Sequence, residues 1–372
     1  MREVPKRFTG ARLRLARQRC GRSQVDLGAL VNVSHAFIGY LEAGHKSPSG
    51  LLLEALGQAL EVEKGFFALP VPEEFRDEEC HFRRRQSTPV GVRTQVLAHA
   101  TLFGEFVECL ENFLVLPPQQ VPTIRASTVE QIERAADHCR HQYGLGDDLP
   151  VTNMARVLER AGVPITRFEG LSDKVDAFSR FGQRSLVVLN DKTASRSRWD
   201  MAHELGHLVM HAGIVGDAPD PEQQAHRFAA AFLLPRSAFV QEFQVSRYWS
   251  WEPLFRLKNR WHVSVGAILR RAFDLGLIDA LRYRQAYKGL SAKGWLRNEP
   301  GEFPSDEPEL VRVALAALPP LGVEVRDVIR ELGWQPSLFA AVTGQALPED
   351  TKRESDRVIS LAVVRGRRRA KG

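Results

Sequence analysis

Two histidines in the middle of the chain stand four residues apart, and a glutamate directly follows the first. Segment 201–207 reads MAHELGH, so that His203, Glu204 and His207 form the pattern HExxH. On a helix, residues i and i+4 lie on one face about 5–6 Å apart, which lets both imidazoles reach one tetrahedral metal ion. Glu204 lies beside the first histidine and could act as a base toward water at that ion. The spacing therefore predicts zinc-dependent hydrolysis.

The residues around this pattern favour a largely buried helix over about 195–211. Its apolar members are Trp199, Met201, Ala202, Leu205, Leu208 and Val209. Segments 177–181 and 185–189 form a pattern typical of a hairpin, with Gly182 near the turn. A hairpin ahead of an HExxH helix is typical of zincin active sites, where an edge strand binds the substrate backbone. The alternative is a core or surface helix that carries two histidines by chance.

A catalytic zinc ion needs a third protein ligand and an open position for water. The downstream candidates are His211, Asp217, Asp220, Glu222 and His226. His211 lies about 6 Å further along the helix axis than His207, which favours a supporting role. Glu222 begins a second predicted helix, which would pack closely through its small residues Ala225, Ala229 and Ala230. Glu222 would then face the ion, one turn from His226.

The two predicted helices also carry the motifs of a known family. Residues 198–211 read RWDMAHELGHLVMH, and residues 222–235 follow the pattern ExxAxxFAAxxLLP. Further similarity lies before and after them, in 177–189 and 257–264. From about residue 150 to 290, the chain thus resembles the ImmA/IrrE family of metallopeptidases.

This resemblance implies a set of site residues. His203, His207 and Glu222 would be the zinc ligands, and Glu204 would be the base. The family usually has Asn or Asp at the position of His226, which leaves open whether His226 competes with Glu222 for the metal. Residues that could support the site without holding the metal are His211, His226 and Tyr248. Zn²⁺ is the expected cofactor, with Mn²⁺ as a substitute.

Residues 8–69 form a pattern of short helices. Ser23 is a good N-cap for the second helix and Ser34 for the third, which runs through Glu42. A helix-turn-helix places such a third helix in the major groove, with its N-terminal residues at the base edges. The candidate DNA-binding residues are Gln24, Ser34, His35, Ala36, Gly39, Tyr40 and Lys46, and Arg12, Arg14 and Arg17 are further candidates for phosphate contacts. The alternative is a four-helix module that binds protein or only dimerises.

The N-terminal patterns FxGxRLxxAR at 8–17, SQxxL at 23–27 and LExGxxxP at 41–48 resemble the XRE/Cro helix-turn-helix family. The resemblance implies duplex DNA as a partner. The whole layout resembles bacterial regulators that join an XRE helix-turn-helix to an ImmA/IrrE peptidase. Members of that peptidase family are associated with the cleavage of XRE-type repressors, which implies such a repressor as substrate.

Composition and charge limit the class of protein. The 372 residues are 44% hydrophobic and 26% charged, which is typical of globular domains. The sequence has no run of eighteen apolar residues, which a membrane span would require, and no recognisable secretory signal. We therefore expect a cytoplasmic location. The four cysteines form no CxxC pair and predict no disulfide framework. Residues 352–372 carry eight basic against two acidic residues, and this basic tail is either a nucleic-acid contact or a solvated end.

The predicted fold is mainly α with a small α+β zincin-like domain. We expect a helix-turn-helix in 1–70, a linker and helical connector in 71–148, a zinc metallopeptidase domain with a short sheet in 149–290, and a helical C-terminal region with a basic tail in 291–372. The predicted function is a DNA-binding zinc endopeptidase that cleaves an XRE-type repressor, and a homodimer is one candidate assembly. Two alternatives are a regulator whose peptidase-like domain is a sensor or docking domain without turnover, and a regulator of small-molecule metabolism.

Overall fold

The computed structural model of the protein describes residues 8–72, 90–168, 177–180, 184–212, 220–244 and 250–347. Some predictions fall on residues outside these ranges: the candidate ligand Asp217, the candidate helper Tyr248, Cys80 and the basic tail 352–372. Among the described residues, none of the helices has the length and hydrophobicity that crossing a membrane requires.

The N-terminal unit consists of four short helices that begin at polar caps. They are α1 (Gly10–Arg19), α2 (Gln24–Leu30), α3 (His35–Glu42) and α4 (Gly50–Leu60), followed by a 3-10 helix at Lys64–Ala68. The Ser23 hydroxyl accepts from the Asp26 N–H and the Asp26 carboxylate accepts from the Ser23 N–H, a capping box. The Ser34 hydroxyl caps α3 by accepting from the Phe37 N–H. Both predicted N-caps are therefore confirmed.

A long helix, α5 (Val90–Glu111), packs against this unit. Arg12 on α1 is buried and forms a bidentate ion pair with Glu105 on α5. The prediction that Arg12 contacts DNA phosphate is therefore wrong, because its guanidinium faces the protein interior. Arg17 is likewise held inside the unit, by an ion pair of 2.5 Å with Glu42.

The last described helices, α14 (Leu310–Ala317), α15 (Val325–Leu332) and α16 (Pro336–Thr343), return to the N-terminal unit. Val62 and Trp334 pair as an isolated antiparallel bridge, and the Glu63 N–H donates to the Gly333 carbonyl at 2.8 Å. Gly333 has φ +66°, and a Cβ there would lie 2.6 Å from the Phe66 nitrogen, so only glycine fits this approach. The N-terminal unit, α5 and these helices thus share one apolar core.

In the middle of the chain, the described residues form three strands and the helices around them. The strands are β1 (Ile165–Arg167), β2 (Ala177–Arg180) and β3 (Leu186–Leu189). The helices are α6 (Val129–Gln142), α7 (Met154–Arg160), α8 (Ala194–Met210), α9 (Pro221–Leu233), α10 (Arg236–Glu242), α11 (Glu252–Trp261), α12 (Val265–Asp274) and α13 (Ala280–Ala292). The fold is thus mainly helical with a small mixed sheet, and the predicted fold class is confirmed.

The sheet separates two apolar cores. Among the described strands, β3 lies in the centre, parallel to β1 and antiparallel to β2, so that β2 lies at an edge. Alternate residues of a strand point to opposite faces. Phe178 and Val188 therefore join the core of α5, whereas Ala177, Val187 and Leu189 join the second core, which α8 and α9 help to form.

Helices α8 and α9 pack closely, as the small residues of α9 predicted. Ala225 and Ala229 are fully buried between them. On the other helix, a Cβ at Gly206 would lie 3.0 Å from the Phe228 ring, so that a larger residue would push the helices apart. This close packing brings the N-terminal end of α9 to the face of α8 that carries the HExxH residues.

Candidate metal centre

His203, Glu204 and His207 lie in the buried middle of α8. The helical spacing brings the two imidazoles to one face, and their Nε2 atoms are 3.1 Å apart. Such a distance between two ring nitrogens suits two ligands of one tetrahedral ion. The HExxH residues therefore have the arrangement that their spacing predicts.

Glu222, in the first turn of α9, completes a group of three. Its Oε1 lies 3.3 Å from His207 Nε2, and its Oε2 lies 3.5 Å from His203 Nε2. One ligand atom from each of the three residues lies within 4.8 Å of the others. Two imidazole nitrogens and one carboxylate oxygen form a donor set that fits Zn²⁺, and Glu222 keeps 24% of its side chain exposed, which leaves access from one side.

The other candidates for a third ligand lie elsewhere. Asp220 caps α9, because its Oδ1 accepts from the Gln223 N–H at 3.0 Å. His211 and His226 contact the histidines of the group without belonging to it. The geometry therefore favours Glu222 over His226 as the third donor.

The charges of the group suit a cation. Burial lowers the pKa of His207 to about 4, so that its ring is neutral and keeps a lone pair at neutral pH. Burial alone would raise the pKa of the Glu222 carboxyl, but the imidazoles of His203 and His207 outweigh it and hold that pKa well below its usual range. The group therefore presents the neutral ring of His207 and the anionic carboxylate of Glu222.

A chain of hydrogen bonds on the Nδ1 side of His207 orients its ring. His211 Nε2 donates to Gln224 Oε1 at 2.9 Å, which leaves His211 Nδ1 as an acceptor. His207 Nδ1 lies 3.0 Å from that acceptor and donates its proton to it. The Nε2 lone pair of His207 consequently points toward His203 and Glu222, as a metal ligand requires.

Glu204 is fully buried beside this group, and a residue of the sheet holds its side chain in place. Ser179 on β2 donates its hydroxyl to Glu204 Oε2 at 2.6 Å. Burial raises the pKa of the Glu204 carboxyl well above its usual value, although the hydrogen bond from Ser179 opposes this shift. A carboxylate with a raised pKa can take a proton near neutral pH.

Three residues that support this site were not predicted to do so from the sequence. Ser179 holds Glu204, Gln224 holds His211, and Trp199 donates its indole N–H to His226 Nδ1 at 3.3 Å. The alternation of β2 would have shown that Ser179 shares a face with Ala177. Trp199 was expected only to bury the helix.

The N-terminal unit presents most of its predicted DNA-binding residues to solvent. Ser34, His35, Ala36, Tyr40 and Lys46 are exposed. The side chain of Gln24 packs over Gly39, and its amide donates to Glu42 at 2.8 Å. Gln24 and Gly39 are therefore half-buried.

Two comparisons with known families agree with these sites. Residues 158–273 match the model of the IrrE N-terminal-like domain of peptidase family M78. Residues 10–65 match the model of a helix-turn-helix domain. A search of curated proteins finds no match to the chain. The chain thus carries a helix-turn-helix domain at its N-terminus and an M78 peptidase-family domain of the IrrE N-terminal-like type in its middle.

Proposed function

We propose that the protein is a DNA-binding, zinc-dependent endopeptidase that cleaves an XRE-type repressor in the cytoplasm. The observation that carries this proposal is the convergence of His203, His207 and Glu222 on one point, with the buried carboxylate of Glu204 beside them. In this proposal the three converging side chains hold the metal, and Glu204 is the catalytic base. Mn²⁺ would fit the same donors as a substitute.

Each side chain of the site has a defined task in hydrolysis. A zinc ion at this site would supply Lewis-acid chemistry toward the carbonyl of a peptide bond. Glu204 takes the proton of the attacking water at a carboxylate oxygen and later returns a proton to the leaving amine. Ser179 keeps one oxygen of Glu204 occupied, so that the other oxygen faces the water.

The edge strand β2 offers a place for the substrate backbone. It pairs with β3 along one side only among the described strands. A peptide that pairs with the free side of β2 would run past Ser179 and Glu204, which contact each other. Pairing of backbone with backbone accepts any sequence, so this strand would position the substrate and side-chain pockets would select it.

The helix-turn-helix domain would bring the enzyme to its substrate. An XRE-type repressor spends much of its time on DNA, and a peptidase tethered nearby meets it at a raised effective concentration. The residues that we propose for DNA contact are those predicted from the sequence: Gln24, Ser34, His35, Ala36, Gly39, Tyr40 and Lys46. A second route is direct pairing of the two helix-turn-helix domains, as in a dimer.

Incubation of the zinc-loaded full chain with the XRE-type repressors encoded beside its gene tests the proposal. We expect one repressor to be cut, with the site identified by mass spectrometry, and the Glu204→Gln variant to leave it intact. Operator DNA should speed the cut if DNA recruits the enzyme, and should slow it or leave it unchanged if the domains pair directly. Intact repressors together with a metal-loaded chain would instead support a sensor or docking domain without turnover.

A further inference from the structure

A cleft of about 300 Å³ opens next to the candidate metal centre. Trp199 and His226 line its inner end. The His226 ring centroid is 4.4 Å from that of His203, and Trp199 donates to His226 at 3.3 Å. The cleft therefore begins one side chain away from His203, where a substrate peptide extending from the scissile bond would enter it.

One part of the cleft wall is apolar and aromatic. Tyr287, Leu290, Trp295 and Leu296 line it. Trp295 packs edge-on against Trp251, with ring centroids 5.5 Å apart, and this contact fixes its orientation. Such a wall fits an apolar side chain.

Two carboxylates of the cleft share one buried cation of the protein. Glu299 and Glu302 lie 2.7 and 3.1 Å from Nζ of the fully buried Lys258. Glu302 also accepts from the backbone and the hydroxyl of Ser195, and Glu299 accepts from the Val265 N–H. These acids thus hold the N-terminal ends of α8 and α12.

The cations at the cleft divide into two kinds. Lys192 lies 3.4 Å from Asp200, and Arg270 lies 3.0 Å from Asp274. Arg196 and Arg297 are exposed at the cleft and have no ion-pair partner among the residues that the structure describes. Among the described residues, the cleft therefore keeps two arginines without an ion-pair partner beside its apolar wall, and its charged residues and their partners together carry one net positive charge.

We infer that this cleft is a specificity subsite that binds an acidic peptide side chain next to an apolar one. The inference rests on the proposed function, because the metal centre would place the peptide. Arg196 and Arg297 would bind the carboxylate of Asp or Glu through charge-assisted hydrogen bonds. Trp295 and its neighbours would cover the apolar residue. The substrate class is therefore a peptide segment with an acidic and an apolar residue beside the cleaved bond.

Binding of two small probes tests this inference apart from turnover. The zinc-loaded full-length Glu204→Gln protein is titrated with N-acetyl-Glu-Leu amide and with N-acetyl-Gln-Leu amide in a calorimeter. We expect the Glu probe to bind roughly tenfold more tightly, the scale of one hydrogen bond to a charged group. The double change Arg196→Gln and Arg297→Gln should abolish the difference. Arg284→Gln, an exposed change on α13 outside the cleft lining, should retain it.

Equal binding of the two probes, or a difference that survives the double change, would overturn the inference. Because both arginines are exposed, we expect the double variant to unfold at the same temperature as its parent, and this is measured as a check on folding. A mixed peptide library digested by the unmodified chain then separates the two proposals. Cleavage without an acidic preference contradicts the subsite alone, whereas selective probe binding without any cleavage contradicts the peptidase function alone.

Discussion

The Ser179 hydroxyl on the edge strand β2 donates to Glu204 Oε2 on α8 at 2.6 Å. The two residues come from different elements, and each occupies a position that our proposed mechanism uses. The strand that would hold the substrate backbone therefore also orients the base that would act on it. A shift of β2 would change both at once.

Replacement of Ser179 by Ala tests this relationship. The variant loses one hydrogen bond to a charged group, so cleavage should fall about 10- to 100-fold while zinc content stays the same. Rates on a short peptide and metal analysis measure the two effects. Ser185→Ala is the matched control, because its buried hydroxyl makes no hydrogen bond within the described residues. An equal loss in both variants would point to packing as the cause and contradict the role of Ser179.

The hydrogen-bond chain behind His207 predicts an effect on metal affinity. His211→Ala removes the acceptor of the His207 Nδ1 proton and should weaken zinc binding about 10- to 100-fold, the usual range for the supporting partners of a metal-bound histidine. Gln224→Leu should have a similar but smaller effect, because it leaves His211 in place. Competition with a chelator measures both affinities, and an exposed change, His141→Ala, is the control. Unchanged affinity in the His211 variant would contradict the chain.

The helix-turn-helix domain should bind duplex DNA in the full chain with strong salt dependence. Binding that neutralises several phosphates falls steeply as salt concentration rises. Lys46→Gln should reduce the slope of that dependence by about one unit. Changing His35 and Tyr40 to Ala should weaken sequence preference more than overall affinity, because base contacts specify and phosphate contacts position. Fluorescence anisotropy measures these effects, and an absence of DNA binding at low salt would favour a protein-binding module.

His99 predicts how stability depends on pH. It is fully buried on α5, its Nε2 lies 3.3 Å from Thr166 Oγ1, and burial, with repulsion from Arg19, holds its pKa well below the usual value. The unfolded chain protonates this residue below about pH 6.5, so the folded state loses stability as pH falls from there. His99→Gln cannot be protonated. Between pH 6.5 and 5, its free energy of unfolding should gain on the wild type by at most about 1.4 kcal/mol per pH unit, the limiting slope for one proton. Denaturant titrations that show a constant difference would contradict the burial of a neutral His99.

The site residues were easiest to predict from the sequence where they lie on one helix. His203, Glu204 and His207 share a helix, so helical spacing alone predicts their common face. Glu222 required the close packing of a second helix, and the small residues of α9 indicated it. The resemblance to a known family supplied the same residue.

Contacts between distant segments were harder to predict. Periodicity does not say which helix a buried arginine meets, and Arg12 therefore looked like a DNA contact before its partner Glu105 was known. The pairing of Val62 with Trp334 likewise joins segments 272 positions apart, and no local sequence pattern predicts it. The N-terminal unit shares a core with α5. Surface substitutions therefore test its DNA binding better than deletion of the whole unit does.

Metal content and cleavage, measured together on the full-length wild type and the Glu204→Gln variant, test the central claim most directly. Both proteins should bind about one zinc ion per chain, and His203→Ala should lose it. The wild type should cleave its substrate, and Glu204→Gln should do so about 10²- to 10⁴-fold more slowly, the scale of a lost general base. A wild type without bound metal, or a Glu204→Gln variant as active as the wild type, would contradict the account.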